Sequence, residues 1–416
     1  MLSFVAAAAL TRTTRSDTTL ARALQELESN LDDRVSRLER VSIGGLAAED
    51  DTHLPPDWDA VEGTEFSVLM EVSGKGKLVG SDVAEGKVVC DKEANGDCKK
   101  IAAGAHGQVY FGTARVRVHE KTSSGTTDSD FTGSVVIKES TECMIDRMNG
   151  LEKPSDVTVA KEQGILRHLQ KNRGEEGGAN LMSVYGFYTM KPMGDAKDDW
   201  NCDIIAEQVP YPITWETAWH PKAVGQLVRQ ALLGLGFMHR HHTAHLDLKP
   251  ENMMSHINPS TWSNTEGIKL APGTIKLIDT GGGEEDRKRV HLFESEFTRS
   301  TVVASPLYYP PELAKADGQK IKPYKADIWS IGIVAVALLC GEDHYEQSQM
   351  EKLSKDIDSQ DTADQYIHAV FPFTTSDDWR GDNFKEAREF VNAALKYDPD
   401  NRPTVAQLLE MDFVAA

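Results

Sequence analysis

The spacing of apolar residues divides the chain into two parts. Between residues 64 and about 140, short segments such as 87–90 and 114–118 alternate apolar with polar side chains, which predicts strands joined by turns. Beyond residue 215 the apolar residues recur at helical spacing, so a small β-rich unit followed by a larger helical unit is expected. The predicted helices are 223–239, 326–340, 384–395 and 404–411. The polar stretches 121–130 and 256–273 are interpreted as loop insertions.

A separate pattern precedes the β-rich unit. Apolar residues between 20 and 41 follow a helical period, at Leu20, Leu24, Leu27, Leu31, Val35, Leu38 and Val41. They predict one amphipathic helix that packs on the main domain, or a short coiled coil with Arg34 on its seam. Residues 47–63 have the composition of a linker, so the expected domains are 1–63 and 64–413. Residues 1–10 are apolar and arginines follow, which fits a transit peptide, a signal peptide or disorder, and the compartment stays open.

Composition limits the possible partners. Lys and Arg number 45 against 65 Asp and Glu, and the net charge of −20 disfavours nonspecific binding to nucleic acid or anionic membranes. No apolar run is expected to reach the roughly 18–20 residues that span a bilayer. The sequence therefore predicts a soluble or peripherally attached protein, and a monomer.

Five cysteines in 416 residues are too few for a disulfide scaffold. Cys90 and Cys98 flank a segment that contains the turn signal Asn95-Gly96, so they could face each other across a hairpin. The alternative is two free thiols in a reducing compartment. The other three cysteines are scattered and show no metal-binding spacing.

One segment, HLDLKPEN at 245–252, has residue types at spacings that phosphoryl transfer can use. That reaction asks a protein for a positioned hydroxyl, charge neutralisation and a metal ion held against the phosphates. Asp247 can accept the hydroxyl proton, Lys249 can contact the transferring phosphate, and Asn252 can ligate a divalent cation. The segment resembles the catalytic loop H-R-D-L-x-x-x-N of eukaryotic protein kinases, with Leu246 in place of arginine.

Upstream segments resemble further kinase motifs. Residues 101–110, IAAGAHGQVY, are similar to the glycine-rich loop G-x-G-x-x-G-x-V, with Ala102 in place of the first glycine. Residues 135–138, VVIK, resemble V-A-I-K and end in Lys138. Glu162, in the helical stretch 159–169, resembles the glutamate that pairs with that lysine and holds it against the α and β phosphates.

Downstream segments continue the resemblance in the family's order. Residues 275–281, IKLIDTG, resemble the D-F-G segment, with Asp279 as its aspartate and Thr280 in place of phenylalanine. Residues 305–312 resemble the end of an activation segment, with Ser305 facing the substrate. Asp327 resembles the aspartate that braces the catalytic loop, and Arg402 resembles the arginine that pairs with Glu312.

These motifs cover about residues 98–413, and on them the chain is identified as a member of the eukaryotic protein kinase-like family, with Lys249 typical of the serine/threonine class. The resemblance implies an α+β two-lobed fold, with an N-lobe to about residue 209 and a C-lobe from about 210. It also implies ATP, Mg²⁺ and protein substrates with serine or threonine. The implied catalytic residues are Asp247, Lys249, Lys138 and Glu162; the implied nucleotide-binding residues are Ala102, Gly104, Gly107, Val109, Val136, Lys138, Ala206, Glu207, Val209 and Met254; the implied metal ligands are Asn252 and Asp279.

Three alternatives accompany this interpretation. A pseudokinase that acts as an interaction scaffold is supported by the departures at Ala102, Leu246 and Thr280. A kinase of small molecules is disfavoured by the peptide-platform segment 305–312. Zinc ligation by the histidines of 239–245 would need a convergent geometry that spacing alone does not indicate.

The resemblance leads to two finer expectations. Leu246 cannot form a charge-assisted bond to phosphate, so activity should depend little on phosphate at Thr298, Ser300 or Thr301, unless the basic residues 287–289 supply the charge. The strand 201–209 should place the backbone of Glu207 and Val209 against adenine, with Ala206 as the gatekeeper. The space behind Ala206 should be open to a bulky substituent, the alternative being that a neighbour such as Met182 or Met190 fills it.

Overall fold

The computed structural model describes residues 63–72, 77–79, 84–104, 107–122, 125–140, 158–190, 200–279, 284–285, 297–298, 306–315, 320–341 and 356–415. The predicted amphipathic helix, the linker before Gly63, Thr280 and Ser305 lie outside these residues. Their predicted roles stay predictions.

The first part of the chain forms β-structure, as its alternating pattern predicts. Its strands are β1 Thr64–Val68, β2 Met70–Val72, β3 Lys77–Val79, β4 Ala84–Cys90, β5 Lys100–Gly104, β6 Gly107–Thr122, β7 Gly125–Ser140, β8 Val184–Met190 and β9 Trp200–Glu207, with helix α1 Thr158–Gln170 between β7 and β8. Seven of them form one sheet in the order β4-β1-β8-β9-β7-β6-β5. Because β4 also pairs with β6, six of these strands close into a barrel.

The barrel encloses its own apolar core. Along β6, Ala114 and Val116 are fully buried while Arg115 between them is partly exposed, which is the period-two alternation of a half-buried strand. The buried cluster comprises Phe66, Val68, Ala84, Val88, Ala114, Val116, Val118, Val135, Tyr185 and Ile205. Gly86 in β4 leaves room for it, because a Cβ there would lie 2.6 Å from the Phe66 ring. Strands β1 and β4 thus help to cover the face of the sheet that carries this cluster.

The β6–β7 hairpin corrects one prediction. Residues 121–130 are strand up to a tight tip at Thr122 and Gly125, not a loop insertion. Cross-strand ion pairs stabilise this polar ribbon: Arg117 Nε lies 2.7 Å from Asp130 Oδ1, and His119 Nδ1 lies 2.8 Å from Asp128 Oδ1. Residues 121–130 are rich in Thr and Ser and show no alternation of apolar side chains. Cross-strand pairing, and not burial, stabilises these strands.

Cys90 and Cys98 form a disulfide with their Cα atoms 5.5 Å apart. The bond closes the hairpin between β4 and β5, where Lys92 also pairs with Cys98 across the turn. Of the two alternatives that the spacing left open, the structure therefore contains the bonded pair. It lies directly before the strand that leads into residues 104–107.

The second part of the chain is mainly helical, and the four helices predicted from spacing are confirmed. Its helices are α2 Pro221–Arg240, α3 Pro311–Lys315, α4 Pro323–Cys340, α5 Gln360–Val370, α6 Asp377–Arg380, α7 Lys385–Ala394 and α8 Val405–Leu409. Short strands are β10 Tyr211–Pro212, β11 Thr243–Ala244, β12 Met253–Ser255, β13 Ile275–Leu277, β14 Glu284–Glu285, β15 Phe297–Thr298 and β16 Lys320–Ile321. The large core lies around α2 and α4.

Helix α4 explains why composition alone is a weak guide to membranes. It has the length and mean hydropathy of a membrane-spanning segment, although Lys325 and Asp327 interrupt its apolar run. However, 83% of this window is buried inside the protein. A helix that is apolar on every side is the core helix of a large domain as readily as a membrane span.

Candidate active site

The predicted catalytic loop follows directly from the end of helix α2. The helix begins with Pro221 at its first position and ends at Arg240, after which His242 adopts φ 56° and turns the chain into β11. Residues 245–249 follow, and 250–252 form one turn of 3₁₀-helix before β12. The loop is thus fixed at both ends by regular structure.

Asp327, near the start of α4, accepts hydrogen bonds that fix this loop. Its Oδ2 accepts from His245 N at 2.9 Å and contacts His239 Nε2 at 2.8 Å, and its Oδ1 accepts from Leu246 N at 2.8 Å. The Asp327 side chain is fully buried. These bonds hold Leu246 at φ 62°, a left-handed conformation that a leucine adopts only when its surroundings impose it. The contact agrees with the role that the sequence assigned to Asp327.

Asp247 is brought together with the two residues predicted to act beside it. Lys249 Nζ lies 3.0 Å from Asp247 Oδ2. Asn252 Nδ2 donates to Asp247 O at 2.8 Å and to Asp247 Oδ2 at 2.9 Å. The carboxylate remains 16% exposed, so it can receive a proton from a substrate hydroxyl.

Asp279 is held beside this group through its neighbour Ile278. Ile278 N donates to Asn252 O at 3.0 Å, and His245 Nε2 donates to Ile278 O at 3.1 Å. Asp279 itself adopts φ 57°, and its side chain is 47% exposed. The strand that precedes it, β13, pairs with β12 in register. The two predicted metal ligands, Asn252 and Asp279, therefore lie on adjoining, hydrogen-bonded segments.

Lys138 reaches the same place from the β-rich unit. It lies on β7, and its Nζ is 3.1 Å from Asp279 Oδ1. Glu162, its predicted partner, lies in α1 as expected, but its side chain lies outside the described residues. The Lys138–Asp279 contact brings a cation from one unit to a carboxylate of the other.

The predicted nucleotide-binding residues line consecutive strands. Strand register places Ala102 opposite Val109, Val109 opposite Lys138, and Val136 opposite Ala206. Gly104 and Gly107 end the β5–β6 hairpin, whose tip at 105–106 lies outside the described residues. Val209 is buried directly after β9, and Met254 lies opposite Lys276 in the β12–β13 pair.

The space around Ala206 is filled. Its side chain is 1% exposed and belongs to a cluster with Leu166 and Phe187, against which Met182 packs. A cavity of about 10 Å³ lies between α1 and β13, lined by Leu166, Met182, Leu277 and Asp279 among others. That volume suits a single water molecule. The structure favours the alternative in which Met182 occupies the space, while the Met190 side chain lies outside the described residues.

The sequence motifs do not indicate what surrounds the Glu207 side chain. Glu207 is 3% exposed and lies near three basic side chains, those of Lys276, His256 and Arg173. Burial acts to raise the pKa of Glu207, but His256 and the charges of Lys276 and Arg173 outweigh it and hold this pKa below its ordinary value. The available signal was Lys276, a charged residue in the middle of an apolar strand.

Two further contacts surround the catalytic loop. Arg402 donates from Nη1 and Nη2 to the two oxygens of Glu312 at 2.6 and 2.8 Å, which agrees with the pair that the sequence predicted. Leu246 is 3% exposed and packs in an apolar cluster. The other members of this cluster are Ala244, Leu313, Ile321 and Ala326, with Tyr309 and Tyr324 against it.

The histidines have other partners than a metal ion. His241 Nε2 lies 3.1 Å from Glu175 Oε2, while His239 and His245 contact Asp327 and Ile278 as described. In the described part of the chain, no group of three or more His, Cys, Asp or Glu side chains is arranged to hold a metal ion. The described residues thus give the zinc alternative no support.

Comparison with known proteins gives a consistent result. The family model described as "Protein kinase domain" matches residues 202–414, which is more than half of the chain. The chain is 27% identical over 197 residues to calcium/calmodulin-dependent protein kinase cmkB of Emericella nidulans, a match that covers 47% of the chain and 42% of that protein. It is 29% identical over 191 residues to human serine/threonine-protein kinase 10, covering 45% of the chain and 16% of that protein.

A third relative is the probable serine/threonine-protein kinase mkcD of Dictyostelium discoideum, 28% identical over 193 residues, with 46% of the chain and 24% of that protein covered. The chain therefore spans less than half the length of these curated relatives. The family match begins at Cys202 in β9, so it covers the helical unit and leaves out most of the barrel.

Proposed function

The chain belongs to the protein kinase domain family, and on this premise we propose that it transfers the γ-phosphoryl group of ATP to serine or threonine hydroxyls of protein substrates, with Mg²⁺. We take the β-rich unit and the helical unit as the N-lobe and C-lobe of the kinase fold, divided near residues 209 and 210. The nucleotide would then lie between them, against Lys138 and Asp279.

The observation that carries this proposal is the double role of Asn252. Its side-chain amide donates to Asp247, and its backbone carbonyl accepts from Ile278, the residue before Asp279. One residue thereby ties the proposed proton acceptor to the proposed metal ligand. Such positioning is the main contribution that a protein makes to phosphoryl transfer.

The residues at this place suit Mg²⁺ chemically. Mg²⁺ prefers oxygen ligands, usually one or two protein groups together with substrate phosphates and water. The side-chain nitrogen of Asn252, Nδ2, donates to Asp247. The side-chain oxygen, Oδ1, is therefore the atom that can ligate a cation. Asp279 supplies a half-exposed carboxylate. When bound, Mg²⁺ would neutralise charge on the phosphates.

The side chains of the chain itself have separate tasks in the proposal. Asp247 accepts the proton of the attacking hydroxyl, and Lys249, 3.0 Å away, offers its ammonium group to the transferring phosphate. Lys138 contacts the α and β phosphates. Its Nζ also lies 3.1 Å from Asp279 Oδ1, which brings this ammonium group next to the proposed metal ligand.

The experiment is a transfer assay with γ-labelled ATP, Mg²⁺ and a generic serine- and threonine-rich protein. Wild-type protein should label the substrate, and Asp247→Asn should lose at least about 100-fold in rate, because the amide cannot accept a proton. Asp361→Asn, at an exposed position of α5, is the matched control and should retain activity. Wild-type protein that binds nucleotide without transfer would favour the scaffold alternative, to which Leu246, Thr280 and Ala102 point.

A further inference from the structure

A buried group of charges lies where the β-rich unit meets the helical unit, and the proposed chemistry does not use it. Its members are Glu207 at the end of β9 and Lys276 in β13, which are 3% and 6% exposed. Charged side chains are rarely buried to this extent unless they are paired, since desolvation is costly. The pair is therefore a specific feature of the junction.

The carboxylate of Glu207 is surrounded on both of its oxygens. Lys276 Nζ lies 3.2 Å from Oε1, and His256 Nε2 lies 3.7 Å from the same oxygen. Arg173 Nη2 lies 4.0 Å from Oε2, to which the Ser183 hydroxyl also donates. Among the described residues Oε1 has no well-directed hydrogen-bond partner, so His256 and the charge of Lys276 compensate for its burial.

Lys276 connects the carboxylate to one further segment. Its Nζ donates to Ala179 O at 2.7 Å, in the connection between α1 and β8. The same connection is tied to β13, because Met182 N donates to Leu277 O at 3.1 Å. Glu207 N in turn donates to Ser183 O at 2.9 Å. The end of β9 is thus held by side chain and backbone to the strand that leads to Asp279.

The position of this network relates it to the nucleotide. Glu207 and Val209 are the residues whose backbone should meet adenine, and Met254 lies opposite Lys276 in the β12–β13 register. A shift of Glu207 would displace the backbone that faces the adenine ring. A displacement of a contacting group by about 1 Å can remove a large part of the free energy that its contact contributes to binding or catalysis.

We propose that Lys276 is a positioning residue for the nucleotide: through its ion pair with Glu207 it holds the β9–Val209 backbone in place against the adenine ring. This inference rests on the proposed function, since it takes ATP as the ligand. Lys276 itself need not touch the nucleotide. Its effect should therefore fall on nucleotide affinity and KM for ATP, with a small effect on kcat.

The charge state of Lys276 gives the inference a pH dependence. Burial lowers the pKa of Lys276 to about 8, against the opposing attraction of Glu207. The other titratable or charged groups that face Glu207 are Arg173, His256 and Tyr185, whose pKa is raised by burial and by Glu207. As pH rises through 8, Lys276 loses its charge and Glu207 loses its nearest cation. Nucleotide affinity of the wild-type protein should fall over that range.

The test compares Lys276→Met, Lys276→Arg, Glu207→Gln and the double variant Lys276→Met/Glu207→Gln. Nucleotide binding is measured by calorimetry with ATP and Mg²⁺, and KM and kcat by the transfer assay. Lys276→Met should weaken nucleotide binding at least about tenfold, because it leaves a buried carboxylate without its nearest cation. Lys276→Arg should recover part of that loss, and the double variant should bind better than Lys276→Met because the buried carboxylate charge is removed together with its nearest cation.

The matched control is Lys222→Met, which breaks an ion pair of 3.0 Å between Lys222 and Glu386 at half-exposed positions of the helical unit. It should leave nucleotide binding unchanged. Lys276→Met with wild-type nucleotide affinity and only a lowered Tm would overturn the inference and assign Lys276 a structural role. If Lys276→Met does not fold, wild-type nucleotide affinity in a folded Glu207→Gln protein, which breaks the same ion pair, would overturn it equally.

The two proposals fail in distinguishable ways. Transfer that is absent while wild-type protein binds ATP would overturn the proposed function, and the calorimetric comparison would still decide the role of Lys276. Wild-type protein that binds no nucleotide would overturn both.

Discussion

Two glutamates with buried partners are held in different ways in this molecule. Glu312 receives two directed hydrogen bonds from Arg402, whose side chain is fully buried and also donates to backbone carbonyls such as Lys325 O at 2.9 Å. Glu207 has three basic side chains at 3.2 to 4.0 Å, and its Oε1 receives no directed hydrogen bond from the residues that the structure describes. The first pair is a rigid bidentate contact within the helical unit. The second is a looser electrostatic contact between units.

The difference teaches what each arrangement can do. A planar guanidinium fits a carboxylate in one geometry and stays charged throughout the physiological range. A lysine ammonium accepts several geometries and changes its pKa readily when it is buried. The Glu312–Arg402 pair should therefore respond little to pH, whereas the Glu207–Lys276 pair should respond near pH 8.

Breaking the rigid pair should have the largest effect on stability. Arg402→Met leaves Glu312 without its partner and removes donors to the carbonyls of Lys396, Tyr397 and Lys325. The free energy of unfolding should fall by about 3–5 kcal/mol, as for other buried pairs that lose one member. Urea unfolding would measure it. A loss no larger than that of Lys222→Met would show that the pair contributes little.

Asp327 is also a buried carboxylate with directed hydrogen bonds, and its substitution should affect activity. Asp327→Asn places an amide NH₂ where the structure needs an acceptor for His245 N or Leu246 N. The loop that carries Asp247 should shift, and transfer should fall by about 100-fold, or ~2.7 kcal/mol of barrier. Thermal unfolding is followed in parallel. Wild-type transfer by Asp327→Asn would contradict the role assigned to this aspartate.

How much of this could be predicted from the sequence differs between the two regions. Asp247, Lys249 and Asn252 lie within six residues, and their contacts are local, so the motif was sufficient to place them together. The surroundings of Glu207 come from four separate segments, near Arg173, Ser183, His256 and Lys276. A sequence gives no distance between such segments, so only the backbone of Glu207 was assigned.

The barrel shows the same limit at the level of the fold. Alternation indicated that 87–90 and 114–118 are strands, but not that β4 pairs with β6 and closes the sheet. The polar composition of 121–130 predicts a loop and not the observed hairpin, because cross-strand ion pairs, not burial, stabilise it. Pairing between Cys90 and Cys98 stayed undecided because the spacing allows a hairpin without requiring a bond.

The next smaller effect, on the transfer rate, is expected at Leu246, which makes apolar contacts and no ion pair. Leu246 packs among apolar side chains that include Leu313 and Ile321, so the loop is stabilised there by burial and not by a phosphate. Phosphatase treatment should therefore change the transfer rate by less than about twofold, well under the ~1.4 kcal/mol that a tenfold change represents. Thr301→Ala should behave like wild type. A tenfold loss in both experiments would show that a phosphate contributes the missing charge.

The smallest effect is expected at Ala206. Because Met182 already packs against its cluster, Ala206→Met should change inhibition by a bulky purine-like compound by less than about threefold, the cavity nearby being the size of one water. Dose–response curves on both proteins would measure it. A much greater potency on the natural protein would indicate that Met182 moves and opens the space.

The central claim is that Asp279, Asn252 and Asp247 form one active phosphoryl-transfer site. Asp279→Ala tests it most directly, because Asp279 is half-exposed and its loss should leave the fold intact. We predict a thermal unfolding transition like that of the wild type, weakened nucleotide binding, and transfer reduced to the background of Asp247→Asn. Magnesium-dependent turnover retained by a folded Asp279→Ala protein would contradict the account.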